Sequence, residues 1–289
     1  MAGRGSHRAK TQKKAQGSAA VITWSAFQSH VRYLSASEQQ RIRKAFVLGQ
    51  EAHEGQFRRS GAPYFNHCIA VADMLADMKA DADTIIAALL HDAIEDTSLT
   101  LAEIERNFGK DVRILVDGAT KLCAEELSER PTLDDKIETL RKIFTLMQED
   151  VRIMIIKLVD RLHNMQTIEF LSEESQRAMA QETRDVYVRI ADRLSMSDVR
   201  DELQELSMGV LEPELQTQLL ALRADSEKRG QDFLASMVRS LRAASKDLKI
   251  DAHYEHKRWR KLRAQFAAEG SAVTGLSAIT AVFLCDDIP

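Results

Sequence analysis

The stretch DADTIIAALLHDAIEDT, residues 81–97, constrains the fold more than any other part of the chain. It reads as a helix capped near Asp83, almost fully apolar through its middle and polar only at its C-terminal end. Such a helix is apolar on all sides, so it implies a buried central position with other elements packed around it. Only 12 Gly and 4 Pro occur in 289 residues, of which 44% are apolar, and long stretches run Ala, Leu, Glu, Arg, Asp and Ile in helical order. A mostly helical, all-α protein is expected, with room for one substantial domain and a smaller one.

Helices are predicted from about Ser37 to His53 and over YFNHCIAVADMLADM behind Pro63. LAEIERNF lies between a Thr100/Glu103 capping box and a Gly109 stop. DVRILVDGATKL, KIETLRKIFTLMQ and VRIMIIKLVDRLHNMQTIEF follow, and amphipathic helices then continue to about Leu248, with a Pro213 start on the way. GQFRRSGAP and EELSERPTLDD read as polar connections, and SAITAVFLCDDIP is the only convincing strand-like run.

No acidic residue precedes Glu38, whereas Arg4, Arg8, Lys10, Lys13 and Lys14 sit among Gly, Ala, Ser and Gln, the pattern of a disordered, solvated basic tail. A net charge of −4 speaks against duplex nucleic acid as a partner. Cys68, Cys123 and Cys285 are far apart and form no CxxC pair, which points to a reducing cytoplasmic setting rather than a disulfide framework or a thiolate zinc site. The N-terminus lacks a signal-peptide core, and no apolar run approaches the roughly 18 residues needed for a membrane span.

Three clusters of residues carry chemistry. In HDAIEDT, His91 and Glu95 lie one helical turn apart, as do Asp92 and Asp96. Crowding four ionisable groups at the end of an apolar helix is costly without a partner, and a divalent cation would neutralise them; charges fanning into solvent are the plainer alternative. In KLVDRLHNMQT, Asp160, His163, Asn164 and Thr167 share one helical face, opposite Ile155, Leu158, Leu162 and Met165. This is either an amphipathic surface helix or a ligand-binding face, and Asp, Asn and Thr, as mediocre helix formers, favour the second. In FRRSGAPYFNH, Arg58 and Arg59 precede a small-residue turn suited to phosphate capture, and His67 shares a face with Val71, Met74 and Met78.

With these residues in view, the chain resembles the RelA/SpoT family of alarmone synthetases and hydrolases. The resemblance is carried by AHEGQFRRSGAPYFNH, LLHDAIEDT, FGKDVRILVDGATKL, IIKLVDRLHNMQTI, YVRIADRLSM and ELQELSMGVLEPELQ, in the family's order, over roughly residues 40 to 265. It implies an HD-type helical bundle in which His67, His91, Asp92 and Asp160 hold one divalent ion, Mn²⁺ in the family. Glu95 and Asp96 match the acidic pair that handles the attacking water and the leaving group's proton. Arg58, Arg59 and Ser60 match positions that contact base and phosphates, and Asn164 and Thr167 match positions lining the nucleotide pocket. Lys121 and Lys157 would add positive charge or support the fold. The implied reaction removes the 3′-diphosphate of ppGpp or pppGpp, giving pyrophosphate and GDP or GTP. The small-molecule nucleotide is the partner expected, with no membrane, and an oligomer is compatible with the sequence.

The domains implied are a tail over 1–30, the hydrolase domain over 31–200, a helical linker over 201–248 and an incomplete synthetase remnant over 249–289, without synthetase activity. Several family positions differ: Cys68 stands where proline is usual, Ala62 where an acid is usual, and Gln166 where arginine is usual. Two rival readings stay open. One is a hydrolase of a related nucleotide such as (p)ppApp or NADPH, and the other is a non-catalytic alarmone sensor.

Overall fold

The structure is a computed structural model that describes residues 21–123, 141, 143, 145–244, 249–256 and 279–286. Two compact units part between Leu194 and Ser195. The first unit holds helices α1 (Trp24–Phe27), α2 (Ala36–Ala52), α3 (Phe65–Asp77), α4 (Ala82–Leu90), α5 (Ala93–Asp96), α6 (Leu101–Phe108), α7 (Lys110–Cys123) and α8 (Val151–Gln166). It ends on α9 (Glu173–Glu182), a π-helical turn (Thr183–Tyr187) and α10 (Val188–Arg193).

The apolar stretch forms α4, and every residue from Ile85 to Leu90 is fully buried. It packs against α2, α3, α7 and α8, so the remaining helices form its surroundings. Burying Ile85, Ile86, Leu89 and Leu90 stabilises the fold by about 1.5–3 kcal/mol each relative to exposure. The cap is Asp81 rather than the expected Asp83: its carboxylate accepts from the Asp83 and Thr84 N–H groups at 3.0 and 3.1 Å. Starting two residues earlier satisfies the first free amides of a helix whose next residues are buried.

Both capping boxes are closed. Glu38 N–H donates to Ser35 Oγ at 3.4 Å while Glu38 accepts from Ser35 N–H at 2.8 Å, opening α2. Thr100 and Glu103 make the same exchange at 3.3 and 2.9 Å, and Gly109, at φ +98°, ends α6 as expected. The tail expected over residues 1–30 falls partly outside the described residues. Within the described part, α1 is ordered because Phe27 stacks on Phe46 at 6.0 Å and Trp24 meets the same ring edge-on at 5.6 Å.

The second unit contains α11 (Ser197–Leu211), α12 (Pro213–Ala244) and a two-stranded sheet. Strand β2 (Ile279–Asp286) is the strand-like run read from the sequence, and it pairs antiparallel with β1 (Lys249–His256) in the register Lys249↔Asp286 to His256↔Ile279. β1 was not anticipated from the sequence, although Ile250, Ala252 and Tyr254 alternate with Lys249, Asp251, His253 and Glu255 as a half-exposed strand does. Among the described residues, no helix is long and apolar enough to cross a membrane.

Candidate metal centre

His91 and Asp92 are neighbours in a turn between α4, which ends at Leu90, and α5, which starts at Ala93, and both keep right-handed helical backbone angles. Both side chains reach one centre. His91 Nε2 lies 3.1 Å from Asp92 Oδ1 and 3.7 Å from Asp160 Oδ1. From α3, His67 Nε2 approaches Asp160 Oδ1 at 3.1 Å and Asp92 Oδ2 at 3.6 Å. The four side chains come from three helical segments, and all four residues are buried, with His91 at 0% exposure.

The donor chemistry fits a divalent cation. His91 Nδ1 stands 2.8 Å from the Ala88 carbonyl, which can only accept, so Nδ1 carries a proton and Nε2 is the nitrogen that a cation would take in exchange for its proton. That Nε2 is buried, makes no well-aligned hydrogen bond, and faces two carboxylates. Without a cation, burial pulls the His91 pKa down, but Asp92 and Asp160 override it and hold the imidazole well above its usual value. The site draws in positive charge. His67, His91 and Asp92 bring ligand atoms within 4.8 Å of one another, the spacing a single ion needs.

A second ring of contacts orients these groups. Tyr64 donates its hydroxyl to Asp92 Oδ2 at 3.0 Å. Lys157, fully buried, donates to Asp160 Oδ2 at 2.8 Å, and Asn164 Nδ2 donates to Asp160 Oδ1 at 2.9 Å. Burial pushes the Asp160 carboxyl up, yet Lys157 and the two histidines hold it well below the ordinary carboxylate range. His163 Nδ1 lies 2.7 Å from His67 Nδ1, and burial together with His67 and Arg58 lowers its pKa to about 2, so His163 is neutral. The polar face of α8 thus points into the centre, not into solvent. Arg161 follows Asp160 but serves the fold, pairing with Glu182 at 3.0 Å and lying over the Tyr187 ring at 4.2 Å.

The arginine turn is built tightly. Arg58 N–H donates to the Ala62 carbonyl at 2.9 Å, Gly61 N–H donates to the Arg58 carbonyl at 2.8 Å, and Phe57 and Pro63 form an isolated bridge. Gly61 sits at φ +80°, which glycine adopts without strain. Arg58, at the base of the turn, reaches the centre: Nη2 donates to Asn164 Oδ1 at 2.6 Å and Nη1 lies 3.4 Å from His163 Nδ1. Arg59 and Ser60, at its tip, are exposed. Thr167 is not aimed at the ligands, since its hydroxyl donates to the His163 and Asn164 carbonyls at 3.1 and 3.4 Å and closes α8.

Glu95 and Asp96 lie on the exposed side of α5, beside the centre. Partial desolvation and repulsion from Asp92 raise the Glu95 pKa above the usual carboxylate value. Gln56 Nε2 donates to the Asp96 carbonyl at 2.6 Å, and Gln56 Oε1 accepts from His53 Nδ1 at 2.7 Å, bracing this turn against the loop after α2. The sequence reading assigned no role to Tyr64, His53 or Gln56. Their only signal was position inside the AHEGQFRRSGAPY motif.

A helical centre of two histidines and two aspartates, with His91 and Asp92 adjacent, defines the HD class of protein. A family model described as HD domain matches residues 45–197, and the chain belongs to that family. It is also homologous to longer proteins. It is 37% identical over 228 residues to the bifunctional (p)ppGpp synthase/hydrolase SpoT of Escherichia coli strain K12, a match covering 78% of this chain and 32% of that protein. It is 38% identical over 233 residues to a GTP pyrophosphokinase of Myxococcus xanthus, covering 78% of this chain and 30% of that one. The chain thus spans about a third of the length of these curated relatives. A solved structure titled as a metazoan ortholog of SpoT that hydrolyzes ppGpp aligns with 62% of this chain and 99% of its own, at 25% identity and a TM-score of 0.45.

Proposed function

We propose that the protein is a metal-dependent hydrolase that removes the 3′-diphosphate from ppGpp or pppGpp, with Mn²⁺ held by His67, His91, Asp92 and Asp160. The single observation behind the metal assignment is the buried, unpartnered His91 Nε2 facing the Asp92 and Asp160 carboxylates. The substrate assignment rests on homology to SpoT and related proteins, together with the guanidinium of Arg58 at the rim. One divalent ion, when bound, supplies Lewis-acid polarisation of a phosphoryl oxygen and neutralises developing charge.

The chain's own groups do the rest. Glu95, whose raised pKa makes it a better proton acceptor than an ordinary carboxylate, takes the proton of the attacking water, and Asp96 assists the leaving oxygen. Arg58, Arg59 and Ser60 receive the nucleotide's phosphates and base on the arginine turn, and Asn164 lies beside the nucleotide, with Thr167 at the end of the same helix contributing through its side chain's outer surface rather than its hydroxyl, which closes α8. A substrate with several negative charges would otherwise be repelled by four carboxylates, which is why arginines stand beside them.

The test is incubation of Mn²⁺-loaded protein with ppGpp while pyrophosphate release is followed. Asp92→Ala is expected to lose turnover through lost metal, whereas Glu95→Gln keeps the metal and loses rate. Equal activity in all three proteins would overturn the assignment.

A further inference from the structure

Arg58 holds a position that its assigned contact with the nucleotide does not explain. Its guanidinium turns inward and spans two side chains of α8. One is Asn164, whose Oδ1 accepts from Arg58 Nη2 at 2.6 Å and whose Nδ2 donates to Asp160 Oδ1 at 2.9 Å. The other is His163, 3.4 Å from Arg58 Nη1 and 2.7 Å from His67 Nδ1. Two of the four ligand side chains, one from α3 and one from α8, are thus each a single residue removed from the same guanidinium.

These links fix orientation. An amide accepting at Oδ1 from Arg58 must present its NH₂ on the other side, toward Asp160, so the arginine selects which of two amide flips Asn164 adopts. Were the amide flipped, its oxygen would face a carboxylate oxygen and repel it. At the second link, His67 Nδ1 is satisfied by His163, which leaves Nε2 free for a cation. The turn that holds Arg58 in place is itself rigid, closed by the Arg58–Ala62 and Gly61–Arg58 backbone bonds.

We propose that Arg58 is a positioning residue of the metal centre, organising Asp160 through Asn164 and His67 through His163 before any nucleotide arrives. The idea rests on the metal-centre reading above, yet it predicts a sign opposite to that of simple electrostatics. A guanidinium near a cation repels it, so if Arg58 served only phosphates, removing its charge would tighten or leave unchanged the binding of a divalent ion. A positioning role requires the reverse.

The experiment is a Mn²⁺ titration of the full chain without nucleotide, by calorimetry or by the paramagnetic resonance of free Mn²⁺. It compares wild type with Arg58→Met, which removes charge and donors, and with Arg58→Lys, which keeps charge but loses the planar fork. Expected is an affinity loss of about tenfold for Arg58→Met, with a smaller loss for Arg58→Lys. Asn164→Ala should weaken binding too, and adding Arg58→Met to it should cost less than in wild type, because both act through Asp160. Should Arg58→Met fold poorly, as judged by circular dichroism, the Arg58→Lys and Asn164→Ala titrations decide the matter. Unchanged or tighter Mn²⁺ binding in the folded arginine variants would overturn the proposal while leaving the hydrolase reading intact. Conversely, wild type that binds Mn²⁺ but never cleaves ppGpp would remove the proposed function without touching this inference.

Discussion

Lys157 offers the most discriminating single perturbation. Its side chain is fully buried, with its ammonium 2.8 Å from Asp160 Oδ2. At that separation and an effective dielectric near 20, the attraction is roughly 6 kcal/mol, offset in part by the desolvation of both charges. Lys157→Met keeps most of the side-chain volume but leaves the Asp160 carboxylate buried beside a methyl thioether. Deleting one partner of a buried pair costs about 3–5 kcal/mol, which for a unit of this size lowers Tm by roughly 10 °C. That loss belongs to the metal-free protein. When Mn²⁺ is present, a doubly charged ion can replace the missing ammonium as the partner of Asp160, and tighter metal binding stabilises the variant further by mass action. Calorimetric melts of wild type and variant, each in EDTA and in saturating Mn²⁺, are expected to show a Tm deficit in metal less than half that in EDTA. Equal deficits in the two conditions would refute the reasoning, because they would mean that Lys157 contributes packing alone and that Asp160 does not meet the cation.

Two further outcomes follow from the same geometry. Tyr64→Phe removes only the hydroxyl that donates to Asp92 Oδ2 at 3.0 Å, so Mn²⁺ affinity should fall by about tenfold with helix content unchanged; wild-type affinity would leave that hydroxyl without a role at the centre. At Asp81, burial pushes the carboxyl pKa up, but bonds from the Thr84 hydroxyl and amide and the charge of Arg152 prevail and lower it. Its contribution is therefore complete above the unfolded value of about 3.9 and is lost as pH falls through the lower folded value. Asp81→Ala should cost about 1–2 kcal/mol at neutral pH, Asp81→Asn less, and both should lack the wild-type decline below about pH 4 in urea melts.

The fold was readable where burial imposes a period. Residues 85–90 had no polar face, so only a central helix could accommodate them, and the capping box at Thr100 marked a neighbouring start through purely local chemistry, whereas the one at Ser35, two residues before the expected start near Ser37, went unread. What periodicity hid was the turn after Leu90: HDAIEDT reads as one helix with His91 over Glu95, whereas His91 and Asp92 separate α4 from α5 while keeping helical backbone angles. The grouping of His67 with His91 and Asp92 was expected only through the resemblance, since His67 alone reads as a core histidine. Part of the surrounding polar ring was not legible, because Tyr64 and His163 act through contacts between elements distant in sequence, which spacing within one helix cannot reveal, whereas Lys157 stands three residues before Asp160 on α8 itself. β1 was legible in principle, since Ile250, Ala252 and Tyr254 alternate with polar residues; only its register against β2 depends on the partner strand.

The choice between a hydrolase and a non-catalytic sensor turns on Glu95 and Asp96. A sensor needs the cation ligands and Arg58, all of which are held by buried or hydrogen-bonded neighbours. It has no use for an exposed acid beside a negatively charged substrate, where a second carboxylate weakens binding. Glu95 contributes nothing to the core, and its ionised form is disfavoured in the folded protein by desolvation and by Asp92. A side chain that costs stability and opposes ligand binding is intelligible when its carboxylate accepts a proton during the reaction. The Gln56 bond to the Asp96 carbonyl points the same way, since bracing an exposed turn has little value for stability and considerable value for holding an acid at a fixed distance from the centre.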